Sequence, residues 1–466
     1  MVRVFMFVLA AVVAMFACSP TYAEDTAPKS HGIGSIFDSA LDFMEEPVVF
    51  DGTSVKAFLH VDVRLKLDHV SQGDNGVFGI GQDSDTFYKS RVIIGLDFEI
   101  GKLISAGVEA IDARAGSYPD PVKPSSIEDS FDLNRVWINL HPESIPLFFK
   151  IARDYIDISD GRLIGHSDWD QVPWRFEQFM IGFKHESSLY VNIAYARPVF
   201  PDDDNFDQAH YRENTDIDEY QYGLLWGGYS FMPEFSMDLF FIMKTDDNEL
   251  VFSETSEQGD HRVYTYGIRG FGKIGDFAYS ADLVFQGGNY SSDDIKAFST
   301  EAWLRYEPDR RFNPKIWVGY TFASGDKNDS DGKHETFDPL FGNLGDRYSL
   351  IGAVSPQNVN WINVGASANP VDEVLVSLNY WYYRRLETND GWYAWGSNIY
   401  NSGPFLTGPF DSRTLGHEIN VKVDYNFTKF TTLTVAYASF FQSDMLQDQN
   451  KKENADYFYI EFRLKF

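Results

Sequence analysis

Apolar and polar side chains alternate residue by residue at both ends of the region that follows the first fifty residues. Close to the carboxyl end, the apolar set is Phe458, Ile460, Phe462, Leu464 and Phe466, and the polar set is Tyr457, Tyr459, Glu461, Arg463 and Lys465. The segment from Val55 to Asp68 alternates in the same way. A period of two residues is the pattern of a β-strand whose faces meet different surroundings. A strand of a soluble β-sandwich shares this pattern, but a charged face suits a water-filled interior.

The alternation predicts eighteen β-strands in all. They lie at 55–68, 87–100, 103–114, 131–141, 146–156, 176–185, 189–197, 219–231, 235–245, 261–273, 276–287, 295–307, 314–323, 357–369, 374–385, 413–427, 430–442 and 457–466. Short connections alternate with long ones rich in Asp, Gly, Asn and Ser. Backbone groups in hydrocarbon have no water to bond, so strands can cross a bilayer only as a closed cylinder. We therefore expect an all-β fold, an 18-stranded antiparallel transmembrane β-barrel with short periplasmic turns and long extracellular loops.

Composition narrows the class of protein further. After the first residues, no run approaches the roughly 20 consecutive apolar residues that a membrane-spanning helix needs, so a helical membrane protein is not expected. Aromatic residues make up 16% of the chain, with 40 Phe and 26 Tyr, which fits the aromatic girdles of a membrane barrel. The net charge of -30 argues against nucleic acid as a partner.

The beginning of the chain has the order of a secretory signal. Arg3 precedes the apolar stretch 5–17, and small residues lead to Ala23, which predicts a cleaved signal peptide at 1–23. An alternative takes Cys18, the only cysteine, as the acylated residue of a lipoprotein signal. Residues 24–50 are expected to form a periplasmic lead-in segment, and 51–466 the outer-membrane β-barrel of a Gram-negative bacterium. Outer-membrane lipid and the barrel-assembly machinery are then its expected partners.

If the apolar residues face lipid, the opposite parity turns basic residues toward the interior. The arginines with this parity are Arg64, Arg91, Arg135, Arg269, Arg305, Arg385 and Arg463. One interpretation is that they pair with acidic residues across strands and stiffen the wall. The other is that they form a substrate path, because a cationic constriction between low-dielectric walls attracts anions. A guanidinium presents two parallel donors to a carboxylate, so such a path would favour a carboxylated sugar chain.

The predicted loop at 157–175 is dense in Gly, Trp and charged residues. Its charged residues include Arg162, Asp168, Asp170 and Arg175. The loop either packs on neighbouring outer loops or folds inward as a constriction of the pore. The chain carries neither a nucleophile elbow nor a zinc-binding helix motif, so no catalytic residues are assigned and an enzyme is not expected.

A second loop has oxygen-bearing residues at alternate positions, Asp326, Asn328 and Ser330, which is a weak calcium pattern. Asp331 stands where the sharp-turn glycine belongs, and Phe337 stands where the last acidic ligand belongs. Ordinary turn-forming composition accounts for the same residues. We therefore assign no metal ligands and expect no cofactor, with calcium as the alternative.

Several long motifs, in this order, resemble the alginate export family of outer-membrane porins. They are LNRVWINL at 133–140, DGRLIGHSDWDQVPWRF from Asp160, GIR at 267–269 and ASGDKNDSDGKHETFDPLFG from Ala323. The resemblance covers the chain from the start of the barrel to Phe466. It implies an 18-stranded barrel that passes a polyuronate chain through an arginine-rich lumen gated by loops and a periplasmic turn.

The resemblance assigns functional positions only to residues that match its motifs. These are Arg135, Arg153, Arg162, Asp168, Asp170, Arg175 and Arg269. Arg153 joins the expected substrate path on this ground alone, because the alternation with Phe149 and Ile151 turns it outward unless a bulge intervenes.

The expected function is passive export of an anionic polysaccharide, an alginate-like polyuronate, from the periplasm to the cell exterior. A porin selective for small anions or oligouronates would need the same barrel. A barrel-based outer-membrane enzyme is the alternative from another class. We expect a monomer, with periplasmic secretion proteins as further candidate partners.

Overall fold

A computed structural model describes residues 47–49, 54–71, 84–117, 127–185, 188–200, 220–343, 345, 347–394, 407–409, 411–443 and 454–466. The expected signal peptide 1–23, with Cys18, and most of the lead-in segment lie outside the described residues. Within these ranges, no helix has the length and hydropathy needed to cross a bilayer.

Regular structure in the described part of the chain consists of β-strands. In chain order they are β1 (Val48–Val49), β2 (Val55–Ser71), β3 (Ser84–Ile100), β4 (Ile104–Gly116), β5 (Asp129–Leu140), β6 (Leu147–Asp154), β7 (Arg175–His185), β8 (Leu189–Val199), β9 (Gln221–Met232), β10 (Phe235–Phe252), β11 (Gln258–Ile274), β12 (Phe277–Tyr290), β13 (Asp293–Tyr306), β14 (Lys315–Ala323), β15 (Lys333–His334), β16 (Val359–Val371), β17 (Val374–Arg385), β18 (Thr414–Asn426), β19 (Thr431–Gln442) and β20 (Ala455–Lys465).

The wall is a closed antiparallel meander of eighteen of these strands. Each wall strand pairs with the next along the chain, and β14 pairs with β16 past the short β15. β20 pairs with both β19 and β2, which closes the barrel. At this seam, Val61 and Phe466 exchange both backbone hydrogen bonds at 3.0 Å. Closure leaves no sheet edge, which is the condition for strands to cross hydrocarbon.

The two faces of the wall differ in chemistry. Leu239, Ile316 and Leu378 face outward and are 52%, 55% and 50% exposed. Their neighbours Asp238 and Asn379 face the interior, as the alternation of a pleated strand requires. Apolar residues on the outside suit lipid, and polar residues on the inside suit water or polar loops. By the pattern of outer-membrane barrels, the short turns mark the periplasmic end and the long connections the extracellular end.

The eighteen strands predicted from periodicity are confirmed, with most ends within a few residues of the prediction. The main departure is β10, which continues to Phe252 rather than 245, past an irregularity between Asp246 and Val251. Residues above the membrane have no lipid-facing side, so pairing can continue where the alternation stops. The pair Val48–Val49, at the end of the expected lead-in segment, also joins the sheet by pairing with β2.

Replacing Leu283 by Arg tests which face meets lipid. Leu283 faces outward from β12 and is 45% exposed, whereas Ser280 on the same strand faces inward. A charged side chain near the bilayer midplane costs about 2–4 kcal/mol on the lipid face of a barrel. Leu283→Arg should therefore lower the free energy of unfolding from lipid vesicles by about that amount. Ser280→Arg is the matched control and should change it much less. Equal losses in urea titrations would contradict the assigned faces.

Candidate functional site

Two connections fold into the barrel. We name them the first inner loop, residues 155–174 between β6 and β7, and the second inner loop, residues 324–358 between β14 and β16. They meet at Ile164 and Phe341, which form an isolated β-bridge. The Gly165 N–H donates to the Phe341 carbonyl at 3.0 Å. The two loops therefore form one body inside the wall.

Apolar residues explain why these connections turn inward. The buried residues they contribute to one cluster with the inner wall are Ile156, Ile158, Leu163, Ile164, Trp174, Phe337, Leu340, Phe341, Tyr348, Leu350, Ile351, Ala353 and Val354. Phe341 packs at its centre, with ring centroids 5.4 Å from Trp174 and 5.8 Å from Tyr222 of β9. Because removing such surface from water is favourable, both loops are stable in the extracellular half of the interior.

Asp168 anchors the first inner loop to the barrel seam. Its carboxylate accepts hydrogen bonds from Arg91 of β3 at 2.9 Å and Arg463 of β20 at 2.7 Å. Arg64 of β2 donates to the backbone carbonyls of Asp168 at 2.8 Å and Asp170 at 2.5 Å. Burial opposes ionisation of the Asp168 carboxyl, but these three arginines outweigh it and hold its pKa well below the usual range. An ionised carboxylate therefore holds the first inner loop to the seam through ion pairs.

Arg162 anchors the same loop to the opposite part of the wall. It donates to Asp282 of β12 at 2.6 Å. Beside it, Asp160 accepts a hydrogen bond at 2.7 Å from Arg347 of the second inner loop, which also donates to Glu301 of β13 at 2.5 Å. Burial opposes ionisation of Asp160, but Arg347 lowers the pKa of this carboxyl below its usual value. Charge-assisted bonds thus join both loops to two neighbouring strands.

The second inner loop has further anchors. Ser349 Oγ donates to Glu418 of β18 at 2.6 Å, and Lys244 of β10 donates to Asp338 at 2.9 Å. With the contacts of Asp168 and Arg162, the inner loops bond to strands on opposite sides of the barrel. These polar bonds hold the two inner loops across the interior, so the loops narrow the barrel at this level.

Asp170 is buried beside the seam anchor. It is 5% exposed, and its Oδ2 atom has no hydrogen-bond partner among the described residues. Burial raises the pKa of this carboxyl to about 7, and the nearby Arg64 offsets only part of the effect. The carboxyl is therefore mostly protonated in the packed loop below neutral pH.

The expected arginines fall into groups that differ in burial. Those at most 3% exposed are Arg64, Arg91, Arg162, Arg175 and Arg385. They bond to loops and wall; Arg175, for example, donates to Asp129 of β5 at 2.7 Å. The wall-stiffening interpretation describes these residues better than a water-filled path does.

A second group faces the interior beneath the inner loops. The side chains of Arg135, Arg269 and Arg463 are 22%, 17% and 24% exposed. Each also has an acidic neighbour, since Arg135 bonds Glu109 at 2.7 Å and Arg269 lies 3.4 Å from Asp160. Arg305 is exposed near the periplasmic end of β13. These four residues are the members of the expected path that water can reach.

The structure corrects the expected position of Arg153. Arg153 shares the outward side of β6 with Ile151 and donates to Glu177 of β7 at 3.0 Å. Glu177 has the outward parity of Phe179, which is 46% exposed. No register shift interrupts the pairing of β6 with either neighbour. The motif-based placement of Arg153 in the substrate path is therefore wrong, and the alternation that turns it outward is right.

The three residues of the calcium pattern form hydrogen bonds with one another. The Asn328 N–H donates to Asp326 at 3.1 Å, and Ser330 Oγ donates to Asn328 Oδ1 at 2.9 Å. In the described part of the chain, no three His, Cys, Asp or Glu side chains converge as metal ligands. The expectation of no cofactor, with calcium as the alternative, stays a prediction.

Sequence reasoning missed Arg347 and the partners of Lys66. The Lys66 ammonium lies 4.0 Å from the ring centroids of both Trp169 and Tyr459, which secures the first inner loop by cation–π contacts. Arg347 was missed because turn-forming residues made the second inner loop resemble an outer loop. The available signal was the number of large apolar residues between Phe337 and Val354, since exposed loops seldom carry so many.

Comparisons with known proteins agree on the fold. A family model described as alginate export matches residues 61–459. A sequence comparison with curated proteins gives no match.

Several solved structures are similar to this chain. Pseudomonas aeruginosa OpdQ has 12% sequence identity and a TM-score of 0.59, covering 88% of this chain and 98% of that chain. A BenF-like porin from Pseudomonas fluorescens Pf-5 has 11% identity and a TM-score of 0.57, covering 88% and 99%. Pseudomonas aeruginosa OpdK, solved with vanillate, has 12% identity and a TM-score of 0.54, covering 88% and 99%. At these identities the likeness shows a shared porin-like barrel.

Asp168→Asn should loosen the first inner loop. An amide has no negative charge and only one acceptor oxygen, so one of the bonds from Arg91 and Arg463 is lost and the other is weakened; a hydrogen bond to a charged group is worth about 1.5–3 kcal/mol. We expect more frequent or larger current steps in planar bilayers. Asp157→Asn is the matched control, because Asp157 bonds His166 within the same loop. Identical current records for the wild type and Asp168→Asn would show that Asp168 is not an anchor.

Packing of the first inner loop should weaken as pH rises. The buried Asp170 carboxyl holds its proton up to about pH 7, whereas the same group in water releases it near pH 4, so this contribution is complete below about pH 4 and is lost through about pH 7. The open probability in bilayers should therefore increase from about pH 5 to about pH 8. Asp170→Asn should remove most of the increase; an unchanged increase in this variant would rule out Asp170 as its source.

Proposed function

Because the chain belongs to the alginate export family and folds as an outer-membrane channel, we propose that it conducts an anionic polysaccharide of the alginate-like polyuronate class from the periplasm to the cell exterior. The observation that carries the proposal is the placement of accessible positive charge along the interior. The direction of transport and the class of cargo rest on the family. The proposal includes no covalent step.

Accessible cations begin at the periplasmic end. Lys184, Arg305, Lys315 and Lys465 have inward parity close to the periplasmic ends of their strands, and all four are exposed. None of them forms an ion pair with another described residue. Low-dielectric walls focus the field of such charges and raise the local concentration of anions at the entrance.

Farther inside, the polymer would meet arginines that already hold carboxylates. Arg463 bonds Asp168 at 2.7 Å, and Arg269 lies 3.4 Å from Asp160. A uronate carries the same functional group as these aspartates. Its carboxylates can therefore compete for Arg463 and Arg269 and free the first inner loop from the wall. In this mechanism, the cargo displaces the loop that narrows its path.

Several weak sites in series suit conduction better than one strong site. Each arginine beneath the inner loops already has acidic partners that compete with a uronate, which limits how tightly it can hold one. Binding must be favourable enough for entry and weak enough for release. Partial pairing of Arg135, Arg269 and Arg463 with acids meets both requirements.

A porin for small anions or oligouronates is the second candidate. The apolar contacts between the inner loops, including the bridge of Ile164 with Phe341, support it because a polymer needs these contacts to separate. A small anion needs only a gap beside them. The size of the conducted anion distinguishes the two candidates.

Planar-bilayer recordings with a polyuronate on the periplasmic side test the proposal. Wild-type channels should favour anions and pass the polymer, and Arg135→Glu with Arg269→Glu should shift the reversal potential toward cations because both side chains face the interior water. Arg384→Glu with Arg413→Glu changes the same amount of charge on exposed residues at the extracellular end and should leave selectivity nearly unchanged.

Two outcomes would contradict the proposal. Passage of small anions without any passage of polyuronate would favour the second candidate. A reversal potential that Arg135→Glu with Arg269→Glu leaves unchanged would remove these arginines from the path.

A further inference from the structure

Two tryptophans lie flat on the inner wall near the periplasmic end. Trp303 of β13 stands directly opposite Gly319 of β14, and Trp317 of β14 stands directly opposite Gly365 of β16. An added Cβ at Gly319 would lie 2.7 Å from the Trp303 ring, and one at Gly365 would lie 2.3 Å from the Trp317 ring. The glycines therefore let each indole cover the backbone with one face. Both side chains are half-buried, so the other face is turned to the interior.

Hydrogen bonds hold the second indole in this orientation. Trp317 Nε1 donates to Asn363 Oδ1 at 3.0 Å and to Asn379 Oδ1 at 3.1 Å. Asn363 in turn donates to the Tyr380 carbonyl at 3.1 Å and is fully buried. The ring plane is thus fixed before any ligand binds, which reduces the entropy lost on binding.

Two accessible cations flank the indoles. Arg305 stands directly opposite Trp317, and Lys315 precedes Trp317 by two residues, so all have the same inward parity. Neither the Arg305 nor the Lys315 side chain forms a hydrogen bond or an ion pair with a described residue. Their charges act on the Glu307 carboxylate, which is already bonded by Lys273 at 2.9 Å.

We propose that Trp303, Arg305, Lys315 and Trp317 form a binding site for a uronate unit of a carboxylated polysaccharide. The proposal rests on the proposed function and names where the cargo first binds. The C–H groups on one side of a pyranose ring suit the electron-rich face of an indole. The guanidinium of Arg305 can bind the carboxylate through two parallel donors, and the Lys315 ammonium adds a second charge.

A third tryptophan in a similar position provides the contrast. Trp137 of β5 lies over Gly107 of β4 in the same way, at 2.7 Å from an added Cβ. Asp97 lies at the same glycine, and the arginine beside it on β5, Arg135, is already bonded by Glu109 at 2.7 Å and by Asp154 at 3.1 Å. A uronate placed on Trp137 would meet these carboxylates and an arginine that is already paired. The flat indole alone therefore does not make a uronate site, and Trp137 serves as a matched control.

Isothermal titration calorimetry of the detergent-solubilised protein with hexagalacturonate tests the site without requiring an open channel. Maltohexaose serves as an uncharged probe of equal length. The wild type should bind hexagalacturonate and prefer it to maltohexaose. Arg305→Gln with Lys315→Gln should weaken uronate binding about tenfold or more and remove the preference. Trp317→Leu should lower the affinity for hexagalacturonate about three- to tenfold, and Trp317→Phe should lower it less.

Matched variants separate this site from other causes. Trp137→Leu, and Arg384→Gln with Arg413→Gln, should leave hexagalacturonate affinity unchanged. Quenching of tryptophan fluorescence by hexagalacturonate should be lost in the double variant Trp303→Leu with Trp317→Leu. Arg305 and Lys315 are exposed, so their Gln variants keep the test valid even where a tryptophan variant fails to fold.

The outcomes separate failure of this site from failure of the proposed function. The site would be overturned if uronate binding were unchanged in Arg305→Gln with Lys315→Gln and in the tryptophan variants. The channel proposal would then still stand. Equal affinity of the wild type for hexagalacturonate and maltohexaose would overturn the site as a uronate site. Absence of both binding and polyuronate conduction would overturn the proposed function as well.

Discussion

Backbone hydrogen bonding in hydrocarbon is the constraint on which the rest of this structure depends. An unpaired N–H or C=O in lipid costs several kcal/mol, since no water is present to bond it. The exchange of hydrogen bonds between Val61 and Phe466 satisfies this constraint at the seam. Once the wall is closed, every strand has one side toward lipid and one toward the interior. The chemistry of the interior follows from this division.

The interior combines many cations with a strongly acidic chain. A charge removed from water needs a partner, and the inner loops supply one wherever they cover the wall. Asp168 pairs with Arg463 of the wall, and Arg162 pairs with Asp282 of the wall, in this way. Cations that the loops do not cover, such as Arg305, remain open to water and to anions. One wall therefore has a closed part held by ion pairs and an open part suited to an anionic chain.

The sequence predicted the wall well because its alternation reflects the constraint directly. It assigned the roles of Arg91 and Arg463 less well, since parity tells which face a residue lies on but not what covers it. Arg91 and Arg463 have the same parity and bond the same Asp168, yet only Arg463 retains an exposed side chain. The difference depends on how the first inner loop packs, a tertiary contact without a periodic signal. The tryptophan site was missed for a similar reason, because its indoles lie flat only where a neighbouring strand presents a glycine.

Spin labelling along one strand measures the two-sided wall most directly. Single cysteines at positions 376 to 380 of β17, in protein reconstituted into lipid vesicles, report collisions with oxygen, which is concentrated in lipid, and with a water-soluble nickel chelate. The account predicts that labels at Val376, Leu378 and Tyr380 meet oxygen, and that labels at Ser377 and Asn379 meet the chelate. Equal access of the nickel chelate to all five positions would contradict a wall with lipid outside and water within.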